Sequence, residues 1–306
     1  FLGKKKIFFI LSAVVIIAGF VTMGVHKGNG GDALNYSLEF KGGTSTSVEF
    51  NEDMSIEELD EKVVPIIEEI SKDANVQTQK VQGSNQVIFK SATLDVSQRE
   101  ELNSRLEEEF GVDPEKITAE TISSTISSEM RTGAVSAVVV STVLMLLYVW
   151  FRFKDVRFGA SSVAALVHDV LVVLAFYAAA RVSVGNTFIA CMLTIVGYSI
   201  NATIVIFDRI RENMTSYKTK EELAAIVNRS ISQTLSRSIF TSLTTFIMVA
   251  VLYILGVSSI KEFALPLMVG IACGTYSSIC LASAFWYLLR TRVGGKKAEK
   301  NKKAAK

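Results

Sequence analysis

Six long apolar runs, separated by charged or turn-rich segments, set the plan of this 306-residue chain. They are Ile7–Val25, Ala134–Phe151, Phe158–Ala180, Val182–Phe207, Ser238–Ile260 and Phe263–Leu289. Each approaches or exceeds the roughly 20 residues that carry a helix across the hydrocarbon of a bilayer. The pattern predicts a polytopic α-helical membrane protein with six transmembrane helices. The first run exceeds the apolar core of a cleaved signal and no A-x-A-like site follows, so it reads as a retained anchor.

Between the first and second runs the periodicity changes. In Leu34–Phe50 the stretches SLEF and TSVEF alternate, which predicts strands with Leu38, Phe40, Val48 and Phe50 on buried faces. The Gly42–Gly43 pair between them turns the chain or admits a second backbone closely. Ser55 caps a predicted helix with apolar residues at Ile56, Leu59, Val63, Ile66, Ile67 and Ile70, and Pro65 should kink or shorten it. Asn75–Lys90 reads as a hairpin around Gly83–Asn85, Ser97–Phe110 as a helix closed by Gly111, and Lys116–Thr121 as a last strand. The order β-α-β-β-α-β predicts one external ferredoxin-like α+β domain.

The expected organisation is a first transmembrane helix at 1–26, an α+β domain at 27–131, a five-helix bundle at 132–290 with a loop at 208–237, and a basic tail at 291–306. Charge orients it. Residues 26–131 carry 22 acidic and 10 basic side chains, and the remainder 8 and 22. With Lys4–Lys6, Arg152/Lys154/Arg157, the 208–237 loop and the tail on one side, both termini are cytoplasmic and the acidic block is extracytoplasmic. The Lys-rich tail, directly after a span, reads as an anchor near anionic lipid and not as a nucleic-acid site. Lys220–Ile231 is amphipathic and is expected to lie along the membrane surface. A mean hydropathy of +0.36 fits the lipid bilayer as surroundings. All three cysteines (Cys191, Cys273, Cys280) lie in apolar runs, so neither a disulfide framework nor a metal site is expected, and no cofactor motif is present.

Candidate chemistry is confined to polar residues inside the apolar runs. In Thr194–Asn213, helical spacing places Thr194, Tyr198, Asn201 and Asp208 near one face, with Ser199 and Thr203 between them. The run leaves the bilayer through Asp208, Arg209, Arg211 and Glu212. His168 and Asp169 stand at the middle of the third run, where an ionisable group costs about 2.5–3.5 kcal/mol unless it faces a partner, water or a pathway. Arg237 stands at the entry to the fifth run, where it either snorkels to the interface or pairs with a carboxylate in the bundle. These polar groups glue helices together or line an ion path; the residues alone leave both open. Gly270-x-x-x-Gly274 and SSICLAS in the last run read as helix packing. A membrane hydrolase is not supported, because His168 and Asp169 have no accompanying nucleophile.

Four separated segments, LEFKGGT, LVHDVLVVLAF, GYSINATIVIFDRIREN and QTLSRSIFTSLTT, resemble the SecF family in order and spacing from about Leu34 to Arg290. The resemblance implies half of an RND-type transporter, completed by SecD as a heterodimer. It further implies a non-enzymatic accessory subunit of the Sec pathway in the bacterial cell (inner) membrane. Its partners would be the SecY channel complex and unfolded secretory polypeptides, its drive the proton or sodium gradient. The external motif then comprises Glu39, Phe40, Gly42 and Gly43, with Glu39 where the family usually has Asp. Ala202 stands where the family usually has the relay carboxylate, which leaves this subunit uncoupled, dependent on SecD's carboxylate, or dependent on Asp169. Arg237 matches the family's Arg. The rivals are a non-conducting structural partner that stabilises SecD and the channel, and an RND-type exporter of small molecules or lipids.

Overall fold

A computed structural model describes residues 1–74, 76–81, 83–153, 155–214 and 219–291. The basic tail beyond 291, Lys154, and Asn75 and Gln82 of the predicted hairpin lie outside the described residues. Packing divides the chain into a helical unit (Phe1–Asn29, Ala137–Val182 and from Thr187 on) and a sheet unit (Gly30–Ser136 with Ser183–Asn186). The second apolar run therefore begins inside the sheet unit, and a short piece preceding the fourth helix belongs there as well.

In chain order the helices are α1 (Lys5–Gly28), α2 (Leu38–Lys41), α3 (Ile56–Lys62), α4 (Val64–Ser71), α5 (Val96–Phe110), α6 (Ser124–Phe153), α7 (Val156–Ala180), α8 (Asn186–Asn213), α9 (Lys220–Leu255) and α10 (Ser258–Tyr276). The last continues through a π-helical turn, Ser277–Ala282, to Thr291. Among the described residues six helices are long and apolar enough to cross a membrane, as the six runs predict.

The sheet unit has strands β1 (Gly43–Glu49), β2 (Gln77–Lys80), β3 (Gln86–Ser91) and β4 (Ile117–Ile122) in the order β2-β3-β1-β4, every pair antiparallel. That is the ferredoxin-like arrangement the element order predicts. Its core sits between sheet and helices and includes Val48, Phe50, Leu59, Ile67, Phe89, Leu102 and Leu106. Ser55 and Asp95 each close a capping box, with Glu58 and Gln98. Pro65 lies in the first turn of α4, and the chain breaks at Val63 instead of kinking one helix.

One strand is absent. SLEF forms the helical turn α2, because Gly42 (φ +76°) and Gly43 (φ +132°) redirect the chain directly after it. Phe40 is buried all the same. A Cβ on Gly43 would run into the Ser91 carbonyl of β3, so the pair both turns the chain and admits a second backbone.

Within the helical unit α9 corrects another expectation. Lys220–Ile231 is the beginning of one continuous helix, and its apolar residues Leu223, Val227 and Ile231 are buried in the protein core instead of lying on lipid. The core there contains Phe153, Phe158, Phe207 and Trp286, with Phe158 stacked on Trp286 at 4.9 Å. Large apolar side chains on α1, α6 and α9, such as Phe20, Leu144, Phe240 and Met248, remain outward.

Candidate ion site in the helical unit

α7 places Asp169 wholly inside the helical unit, at 0% exposure. Burying a carboxyl is costly unless its lone pairs are satisfied. Here four polar side chains converge on it, three of them as donors. Oδ2 accepts from Ser199 Oγ at 2.5 Å and from Ser277 Oγ at 2.7 Å. Oδ1 lies 2.9 Å from His168 Nδ1 and accepts from Cys273 Sγ at 3.3 Å. The partners come from α8 and the sixth span as well as α7, so three helices meet at one carboxyl group.

Small residues let the helices come this close. A Cβ on Gly270 would run into Ile195, and one on Gly274 would stand 3.2 Å from Ser199 Cβ. The GxxxG spacing is thus what seats the sixth span on α8. The π-helical turn then widens the helix where Ser277 and Ser278 both turn inward. Ser277 reaches Asp169, while Ser278 donates to the Ser199 carbonyl at 3.2 Å and lies 2.9 Å from Thr203 Oγ1.

The second nitrogen of the His168 ring, Nε2, is buried and has no hydrogen-bond partner among the described residues. His168 also borders a cavity of about 480 Å³ walled by Ser12, Phe246, Met268, Cys273 and Tyr276. An ionised carboxylate is an acceptor only, and its neighbours here are all able to donate. A proton on Asp169 would turn one of them around. Ser277 can make that turn, because the Gly274 carbonyl is an alternative acceptor at 3.2 Å. The ligating atoms of His168, Asp169 and Cys273 lie within 4.8 Å of one another, so these three residues can hold a cation between them.

The predicted residues fall into separate groups. His168, Asp169 and Ser199 are together; Thr203 is one turn further on, in the link to Ser278. Asn201 and Arg237 are exposed and do not reach Asp169. On the predicted polar face of α8 Thr194 and Asn201 are exposed while Tyr198 is half-buried, and the fully buried polar residues are Ser199 and Thr203. Arg237 shares a small cleft with Asn201 and Ala202 and makes no ion pair with a carboxylate among the described residues. Asp169 on the third span takes its partners from the fourth and sixth spans, and Arg237 on the fifth span, which could have paired with a carboxylate in the bundle, does not pair with it.

Cys273, Ser277 and Ser278 join the site, although in the sequence the cysteine reads as one more residue of an apolar run and the serines as helix packing. The signal was available, since Cys273 and Ser277 are four residues apart and share a helix face.

The exit residues form a staple. Arg152 Nη2 pairs with Asp208 Oδ2 at 2.7 Å, Arg209 with Glu212 at 2.8 Å and with Gln233 at 2.7 Å, and Arg211 reaches the Arg152 carbonyl at 3.5 Å. In the sheet unit Glu39 Oε2 accepts from the Asn186 N–H at 3.0 Å and from Ser37 Oγ at 3.2 Å. Glu39 thereby satisfies an N–H that no turn of α8 can reach.

The chain has relatives along nearly its whole length. The sequence model "Protein export membrane protein SecD/SecF, C-terminal" matches residues 102–292. "Protein translocase subunit SecF" of Sebaldella termitidis is 36% identical over 98% of this chain and 94% of its own length. "Protein translocase subunit SecDF" of Bacillus subtilis is 33% identical over 95% of this chain but only 38% of its own. A crystal structure of SecDF from Thermus thermophilus, described as a translocon-associated membrane protein, superposes with a TM-score of 0.77 at 35% identity, over 95% of this chain and 38% of that one. In the SecDF proteins, then, a region like this chain occupies about two fifths of a longer polypeptide. Six apolar helices, the ferredoxin-like sheet unit and these full-length matches together place the chain in the SecF family of protein translocase subunits.

Proposed function

We propose that this chain is an accessory subunit of Sec protein export that pairs with a SecD-type chain and uses the transmembrane ion gradient through Asp169. The observation that carries the coupling is the shell of four polar side chains around a fully buried carboxyl group. Fusion of the same region into longer SecDF polypeptides supports the pairing. The SecY channel complex and unfolded polypeptide are the further partners of this reading. Lys/Arg placement puts both termini in the cytoplasm and the sheet unit outside.

Asp169 holds or releases a cation, a proton in the simplest case. Ser277 then changes acceptor between Asp169 and Gly274, and the contact between the sixth span and α7 loosens or tightens. A gradient drives the cycle only if the two arrangements bind the ion with different affinity. The sheet unit carries a cleft of about 350 Å³ beside Gly42, Gly43 and Lys90, which suits an extended polypeptide.

A second reading, a non-conducting partner that stabilises SecD and the channel, is favoured by Ala202, which has no ionisable group to offer. Supplying this chain to cells depleted of their own SecF separates export function from its absence. Restored preprotein processing in pulse-chase, with SecD co-purifying, is expected; unrestored export without a SecD partner contradicts the assignment.

A further inference from the structure

The segment Asn35–Glu39, which leads into the external motif, holds the chain at the point where α8 begins. The Ser37 N–H donates to the Val184 carbonyl at 3.0 Å and the Val184 N–H to the Asn35 carbonyl at 2.7 Å, so Tyr36 and Val184 form an isolated parallel bridge. Val184 is buried. Two residues on, the Glu39 carboxylate accepts from the N–H of Asn186, the first residue of α8. Between them Gly185 has no room for a side chain, since a Cβ there would run into Ser37 Oγ and Glu39 Oε2. Ser183–Asn186 accordingly packs as part of the sheet unit, whereas α8 from Thr187 on does not. A helix cap needs one acceptor at the N-terminus. Two backbone bonds, a carboxylate and a close fit at Gly185 hold these residues together, which is more than a cap requires.

From Asn186 the helix runs without a break or a proline to Asn213. Ser199, 13 residues after Asn186 and so about 20 Å along the helix, donates to Asp169 at 2.5 Å. α6 also leaves the sheet unit as one continuous helix, but none of its residues is among the partners of Asp169. We infer that Glu39 and Gly185 are positioning residues for Asp169: they fix the first turn of α8, so that a change of charge at Asp169 travels along α8 to the external motif. This rests on the reading of Asp169 as the ion-binding group. An ionised Asp169 is the stronger acceptor for Ser199 and pins α8. A neutral one slackens that tie, and the rigid helix passes the change to the bridge at Val184.

The test is amide hydrogen exchange of the full chain in detergent micelles, read at the Ser37 and Val184 amides in a double-mutant cycle of Asp169→Asn and Glu39→Ala. Asparagine stands in for the neutral carboxyl group. With Glu39 in place, Asp169→Asn should speed exchange at both amides by about twofold to thirtyfold, the span of couplings carried by such networks. In Glu39→Ala exchange is faster from the outset, and Asp169→Asn should add nothing to it. Glu39→Gln keeps an oxygen for the Asn186 N–H and should restore the response, which a simple loss of stability would not. Should Glu39→Ala fail to fold by circular dichroism, Gly185→Ala breaks the same fit and takes its place in the cycle. A response to Asp169→Asn that persists at full size in the folded clamp variant overturns the inference, and so does the lack of any response with Glu39 in place. The reading of Asp169 itself is decided separately, by gradient-stimulated translocation of Asp169→Asn, whatever the exchange shows.

Discussion

Ser277 donates to Asp169 Oδ2 at 2.7 Å from the neighbouring helix, while the carbonyl of Gly274, one turn back on its own helix, stands 3.2 Å from the same hydroxyl. One serine thus has two acceptors, one on another helix and one on its own. In the proposed cycle the charge on Asp169 decides between them, since an ionised carboxylate is the stronger acceptor, and the exchange would link uptake of a proton to a helix–helix contact.

Removing that hydroxyl should weaken the fold measurably. Ser277→Ala deletes the hydrogen bond to Asp169 and leaves a buried acceptor short of a donor, worth about 1–3 kcal/mol. Ser277→Thr keeps the hydroxyl and should lose less. Thermal unfolding of both variants in micelles checks this, and equal stabilities would show that the Ser277 hydroxyl does not help to hold Asp169.

The approach of the sixth span to α8 should tolerate no bulk at Gly270. A side chain there meets Ile195 directly. Gly270→Val should cost about 1–3 kcal/mol through overpacking, and Gly133→Val, where a Cβ meets nothing within 4 Å, should cost far less. The comparison is made by denaturant unfolding of the two variants in the same detergent.

Glu39 should act as a cap on the Asn186 N–H. Glu39→Ala leaves that N–H without its acceptor and should cost about 0.5–2 kcal/mol, whereas Glu39→Gln retains an oxygen. Amide hydrogen exchange at Asn186 reads the difference: faster exchange in the alanine variant and near-normal exchange in the glutamine variant.

The sheet unit should lose stability in acid through its capping boxes. Backbone and side-chain hydrogen bonds from Ser55 hold Glu58 below its ordinary 4.5, and those from Gln98 and Ser97 hold Asp95 below 3.8. Both folded values are depressed, so this contribution is complete above the ordinary values and disappears as pH falls through the depressed ones. ¹³C NMR titration of the two carboxyls should give midpoints below 4.5 and 3.8, and Ser55→Ala should bring Glu58 back toward its ordinary value.

Much of the architecture was legible because it follows from period and length. Apolar runs of bilayer length gave six helices, and Ser55, Pro65 and Gly111 marked the ends of elements in the sheet unit. SLEF misled, since alternation over four residues also fits one helical turn, and the glycines after it decided the matter. Lys220–Ile231 misled because an apolar stripe does not say whether lipid or protein covers it; here α9 continues without a break and the core covers it. At the candidate site, His168 and Asp169 stood out as ionisable groups in an apolar run, but Ser277 did not. A serine in a small-residue stretch is ordinary, and only the turn at Ser277–Ala282 points it at Asp169. Arg237 could equally have snorkelled or paired with a carboxylate in the bundle, and it is exposed, as is Asn201; spacing along one helix carries no information about its neighbour.

The most direct test of the account is gradient-stimulated preprotein translocation into inverted membrane vesicles that contain this chain, with Asp169 or with Asp169→Asn. Asparagine preserves the shape and can still accept from Ser277, but it cannot take up a proton. The account predicts that Asp169→Asn inserts normally, retains SecD, and loses the stimulation by the gradient. A variant that translocates as fast as the parent chain under the same gradient would contradict it.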